Sequence, residues 1–219
     1  MIDATATATA TAALPTLRFL LPTLRFLLPG QWASIPLHDT EVARSAIRQL
    51  VDVQIGKADQ LAGLRRDIRS RLLDSLETSI AGAGQSMQVA LEMVPGVPIS
   101  ANFTVYLPDV SRAPAIGTSG AAVLEVLRRG LTDVMDLSSE HRFAAGDSEV
   151  LRLQRVVTRE AEGQLAAITS LIVDYWVTVP GAKRVVLVSF STLFSDLSDV
   201  MVGFFDSIVR ASYWQQPTP

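Results

Sequence analysis

Between residues 87 and 107 apolar and polar positions alternate with a period of two. Met87, Val89, Leu91 and Met93 stand against Gln88, Ala90 and Glu92. After Pro95-Gly96-Val97-Pro98 the alternation resumes as Ile99, Ala101, Phe103, Val105 and Leu107 against Ser100, Asn102, Thr104 and Tyr106. Successive strand residues point to opposite faces, so the pattern predicts an antiparallel hairpin, turned at Pro-Gly, with one face on the core. Further on, 165–179 is apolar on both alternating sets, as expected of a central strand covered on both faces. A turn at Pro180–Lys183 leads to a partner strand, RVVLVSFS, at 184–191.

Helical spacing governs three other stretches. Val42, Ala46, Ile47, Leu50 and Val51 form one stripe after an Asp39-Thr40 start, and Gly56 ends it. A longer helix is expected from about Ala58 to Ile80, with Leu61, Leu64, Ile68, Leu72 and Leu76 along one side and Gly82 and Gly84 as the stop. Near the end, Leu197, Val200, Met201, Phe204, Phe205, Ile208 and Val209 keep an unbroken amphipathic stripe from a start at Ser195-Asp196. A shorter helix capped by Ser119 is expected to run to Leu127, with Arg128, Arg129 and Gly130 at its end. Thr132–Leu137 and Val150–Thr158 read as strands, and Ala145-Gly146-Asp147 as a turn.

Strand runs mixed with helix runs and joined by tight turns argue for an α+β fold, an antiparallel sheet of five to six strands with helices packed on it. A single domain over 28–214 holds this pattern, with a frayed tail at 215–219. Ahead of it, 1–27 reads as a low-complexity tail. Residues 4–13 alternate Ala and Thr, with little to bury and disorder expected. LPTLRFL then stands at 14–20 and again at 21–27. A proline in each unit excludes a heptad helix, and two copies are too few for a solenoid. The second copy is expected to serve as the first strand of the fold.

The chain has 219 residues, 48% of them hydrophobic, enough for a substantial core. A net charge of −3 provides no general attraction to polyanions, so nucleic acid is not expected as a partner. The absence of cysteine removes disulfides, thiolate-bound metals and thiol catalysis. Mean hydropathy is +0.30, yet the apolar stretch 14–29 contains Arg18, Arg25 and prolines, and the run from Leu165 stops at Asp174. Neither spans a bilayer. The opening Met-Ile-Asp lacks the positive start of a secretory signal, and a cytoplasmic location is expected.

Candidate chemistry is sparse. The two histidines, His38 and His141, have no second histidine at metal spacing, and Ser139-Glu140-His141 is too close in sequence to build a triad. Gly82-Ala83-Gly84 and Gly117-Thr118-Ser119-Gly120 lack the Lys-Ser/Thr of a phosphate loop. No catalytic residue, metal ligand or cofactor is expected. The densest basic region, Arg65, Arg66, Arg69 and Arg71, is a candidate partner surface, with Asp67 and Arg71 placed to pair at i, i+4. Phe103, Tyr175 and Trp176 are candidates for lining an apolar pocket.

LPGQWASIPLHD (28–39), AIRQLVDVQIG (46–56), LRRDIRSRL (64–72), VPGVPISANFTVYLPD (94–109) and the ending from Tyr175 to Trp214 resemble a family of uncharacterised actinobacterial proteins. That resemblance implies no functional residues. The ending also resembles the PsbP-like fold: a strand pair, an SFST turn, then an amphipathic helix ending near Trp214. It implies an adaptor without chemistry of its own, although the lipobox cysteine of lipoproteins with this fold is missing. Two functions are therefore expected as alternatives. The leading one is a non-catalytic adaptor or chaperone-like accessory protein that binds a protein partner, such as a secreted one, on the free face or edge of its sheet. The other is a module that binds a small apolar ligand.

Overall fold

A computed structural model describes residues 22–56, 59–92, 101–108, 117–160 and 167–216. The Ala-Thr tract, the first repeat copy, the Pro95–Pro98 turn, most of the 109–118 loop and the last three residues lie outside the described residues. Strands β1 (Thr23–Arg25) and β2 (Gln31–Ile35) precede helices α1 (Thr40–Ile55) and α2 (Ala62–Ala81). Next come β3 (Gly84–Glu92), β4 (Ala101–Tyr106) and α3 (Gly120–Thr132), followed by a meander of β5 (His141–Ala145), β6 (Ser148–Arg159), β7 (Ile168–Thr178) and β8 (Val185–Thr192). Helix α4 (Ser198–Arg210) and β9 (Tyr213–Gln215) complete the order.

Seven strands form one antiparallel sheet, β2-β3-β4-β8-β7-β6-β5, while β1 and β9 pair in a separate ribbon. The protein is α+β, with helices packed on an antiparallel sheet. The sheet exceeds the expected five to six strands because its edges, β2 and β5, are five-residue strands with no clean alternation. Thr132–Leu137, expected as a strand, is the end of α3 and a turn in which Val134 and Met135 donate to the Leu131 carbonyl. Met135 and Leu137 pack on the cluster of Leu151 and Leu153 instead of pairing in a ladder. Gly130 lies inside α3 and does not follow it. His141, expected in a loop, opens β5, and Gln215, expected in a frayed tail, pairs with Thr23.

Local chemistry sets the helix starts. The Asp39 carboxylate accepts the N–H groups of Glu41 and Val42, and Ser119 Oγ accepts that of Ala122. At the other end of α2 the chain turns back onto the sheet so closely that a Cβ on Gly84 would lie 2.8 Å from the Ser79 carbonyl oxygen. Only glycine admits that approach.

Strands β7 and β8 are buried on one face and mostly half-buried on the other, and each face meets a different cover. On one face Leu171, Val173, Tyr175 and Val177 join Val186, Val188 and Phe190 beneath Met201, Phe205, Ile208 and Val209 of α4. Phe190 stacks on Phe205 with ring centroids 4.5 Å apart. Tyr175 donates to Asp206 Oδ1 at 2.7 Å, and Arg152 donates to Oδ2 at 2.6 Å, clamping α4 to the sheet. The ribbon lies on this face too. Leu24, Phe26 and Trp214 pack on the core, so the described part of the second repeat copy belongs to the fold. Trp214 Nε1 donates to Ser148 Oγ at 2.8 Å.

The opposite face is covered in two places. Helices α1 and α2 pack over Ile35, Met87 and Val89, and α3 packs over Leu151, Leu153 and Trp176. Among the described residues no helix is long and apolar enough to cross a membrane.

Burial and the bond to Asp206 hold the Tyr175 hydroxyl protonated well above the usual tyrosine range. Tyr175→Phe should cost about 1–2 kcal/mol near neutral pH, by loss of a buried bond to a charged acceptor. In the unfolded chain the phenol ionises near pH ~10, whereas in the folded protein it does not. Stability should therefore fall as pH rises above that value, and urea titrations should show a shallower alkaline decline in Tyr175→Phe.

Candidate functional site

Between its two helical covers the sheet carries a strip with a different composition. Asn102 and Thr104 of β4, Ser189 and Ser191 of β8 and Ser170 and Asp174 of β7 all point to the α2 side, in register across neighbouring strands. A purely structural interior would continue the apolar set seen at Met87, Val89 and Leu153 on that face. Instead the polar residues floor a groove of about 770 Å³. Leu50 and Ile55 of α1, with Ile68 and Leu72 of α2, form an apolar wall, and Ile172, Leu187 and Phe194 extend apolar surface across the floor and one end. The volume suits a small ligand, and an apolar lining with few convergent polar groups is the usual composition of such sites.

At the centre stands Asp174, with only 6% of its side chain exposed. Arg155 Nη1 contacts its Oδ2, and Ser189 Oγ donates to Oδ1 at 2.5 Å. The carboxylate is thus neutralised and both oxygens are engaged, which allows its burial. Ser79 Oγ donates to the Ser75 carbonyl and lies 2.7 Å from Thr104 Oγ1, joining the α2 wall to the floor. Arg71, one turn after Ile68 and next to Leu72, lines the groove. Its Nε is buried without a hydrogen-bond partner, and Asp74, one turn further along α2, lines the same groove. The groove therefore places an arginine with one buried, unbonded N–H beside apolar walls. Ser189, the hydroxyl nearest the carboxylate, donates to an Asp174 already paired with Arg155, so among the described residues it is not poised as a base-activated nucleophile.

The four arginines expected as one surface are divided. Arg65 Nη1 donates to the Gly56 carbonyl at 2.8 Å, and Arg69 pairs with Asp52 at 2.7 Å, so both tie α2 to the end of α1. Arg66 is exposed and lies 3.9 Å from Asp67. The expected Asp67–Arg71 pair is not made, because Arg71 turns to the groove side of α2. The three aromatics are likewise not brought together. Phe103 and Tyr175 are buried on the α4 face, and Phe103 also borders a second cavity of about 560 Å³ beside the ribbon. Trp176, the next residue after Tyr175 in a strand, points to the opposite face under α3.

His38 and His141 are both exposed. In the 139–141 cluster, Ser139 Oγ bonds the backbone of Gln154 and Glu140 pairs with Arg128 at 2.7 Å. Among the described residues no three His, Asp or Glu side chains gather to hold a metal ion. The sequence did contain a trace of the groove: Ser170 and Asp174 interrupt an otherwise apolar strand at alternating positions, as do Ser189 and Ser191. No family model, curated protein or solved structure matches the chain.

Removing Arg155 leaves a buried carboxylate held by one hydroxyl. Arg155→Ala should cost about 1–3 kcal/mol, a figure reduced because the guanidinium is nearly half exposed. Ser189→Ala should cost about 1 kcal/mol. In a double-mutant cycle by urea denaturation the two losses should not add, since both act through Asp174.

Proposed function

We propose that the protein is a non-catalytic binding module whose groove seats a small amphipathic anion. The observation that carries this reading is the coincidence, in one strip of the sheet, of interrupted helical cover, polar floor and an arginine whose buried Nε has no hydrogen-bond partner. An acyl chain would lie against Leu50, Ile55, Ile68 and Leu72, and its anionic head would meet Arg71 and the hydroxyls of the floor. Burying apolar ligand surface contributes about 25 cal/mol per Å², and the charge-assisted bond to arginine fixes orientation.

A second reading, a protein adaptor, is favoured by a separate observation. Strand β5 pairs with β6 only as far as Arg152, and Ser139 caps the next outward position, Gln154. Beyond it Val156 and Val157 are 57% and 41% exposed, β-branched residues at a strand edge. An extended segment of a partner could add there as a further strand. The resemblance of 175–214 to PsbP-like proteins, which implies adaptors, supports this second reading.

Dodecanoate is the probe for the first reading. At a hundred times its Kd it should add about 2.7 kcal/mol to stability and raise the Tm accordingly. Arg71→Ala should weaken dodecanoate about tenfold or more by calorimetry, and Ser191→Trp should block it by filling the groove. Dodecanol should bind more weakly than dodecanoate. A Tm indifferent to every chain length from octanoate to hexadecanoate would refute the groove reading. For the edge reading, Val156→Pro should abolish partner capture while leaving the fold intact, because an outward-facing edge N–H takes no part in the β6–β7 ladder.

A further inference from the structure

The ribbon strand β1 lies in a seat defined by few contacts. Leu24, Phe26 and Leu28 pack inward on the core, and Phe26 lies 5.0 Å from the Phe103 ring. Thr23 pairs with Gln215 and Arg25 with Tyr213, and Arg25 Nε donates to Gln215 Oε1 at 2.6 Å. Trp32 Nε1 donates to the Pro29 carbonyl at 2.8 Å, which ends the seated segment. Every side chain of the seated segment 23–29 has a duplicate seven residues earlier. LPTLRFLLP occupies 21–29 and also 14–22, so Thr16, Leu17, Arg18, Phe19, Leu21 and Pro22 repeat Thr23, Leu24, Arg25, Phe26, Leu28 and Pro29.

We infer that this seat is a strand-receiving site that takes either copy, so that the protein exchanges between two registers seven residues apart. The seat would meet the same side chains in both registers. Side-chain chemistry therefore does not choose between them. The connection to β2 does. In the observed register Gly30 alone, at φ +74°, joins Pro29 to Gln31, whereas in the shifted register residues 23–30 span from Pro22 to Gln31. Stretching the join from one residue to eight disfavours the shifted register by roughly twentyfold in loop-closure entropy. The second register is thus a minor state of a few per cent. The ligand class of the seat is an extended segment with apolar residues at alternate positions and proline at each end.

The absence of native cysteine makes this testable by disulfide trapping. Directly opposed strand residues are within disulfide range. Thr23→Cys with Gln215→Cys should close rapidly in a glutathione buffer, reporting the observed register. Thr16→Cys with Gln215→Cys should close within the monomer roughly twenty times more slowly, yet faster than Thr16→Cys with Val53→Cys, whose second site is exposed on α1. Phe26→Asp should favour the first copy and accelerate the Thr16–Gln215 closure, and Phe19→Asp should suppress it. The stability loss from Phe26→Asp should also be smaller in the full chain than in a chain lacking residues 14–20, a comparison that holds even if trapping perturbs the ribbon. Closure no faster than the Val53 control, or a disulfide formed only between molecules, would overturn the two-register inference.

Discussion

The packing of Phe205 on Phe190 is the contact on which the rest of the fold depends. Phe190 lies in β8, the strand that joins the β4 side of the sheet to the β7 side. Its ring also lies against Phe103 at 4.8 Å and Tyr175 at 5.6 Å, so three strands and one helix converge on it. With α4 held there, the α4 face becomes the principal core, and Asp206 is placed to receive both Tyr175 and Arg152. The opposite face is then free to be something other than core.

Much of this arrangement was legible in the chain. The alternation over 87–107 anticipated β3 and β4, and the unbroken stripe from Leu197 to Val209 anticipated α4 to within a residue or two at its end. Long periodic segments are readable because burial on one side imposes a repeat. The short edges were not. Gln31–Ile35 and His141–Ala145 are half solvated, so their side chains carry no repeat, and their pairing is decided by neighbours distant in sequence. Apolar residues at Thr132–Leu137 misled for the converse reason: they cap a helix cluster, and burial alone does not distinguish a turn from a strand.

The groove was harder still. Its residues come from two helices and five strands, and each is unremarkable where it stands in the sequence. Only pairing shows that Asp174, Ser189 and Thr104 are adjacent on one face. Reading 165–179 as apolar on both faces overlooked Ser170 and Asp174, where the pattern breaks. The basic run at 65–71 had the opposite fault. It looked like one surface, but helical geometry sends Arg65 and Arg69 to α1 and Arg71 to the groove, and a cation's role depends on which neighbour it meets.

The pairing of β1 with β9 has a consequence for how the chain is made. The hydrogen bond from Arg25 to Gln215 bridges 190 positions, and β9 follows every other element. During synthesis on the ribosome, Leu24, Phe26 and Leu28 therefore emerge well before β9 and wait without their strand partner until the elements between have been translated. For that interval the nascent chain displays an oily, proline-bounded strand, the kind of segment that chaperones bind and that aggregates when they do not.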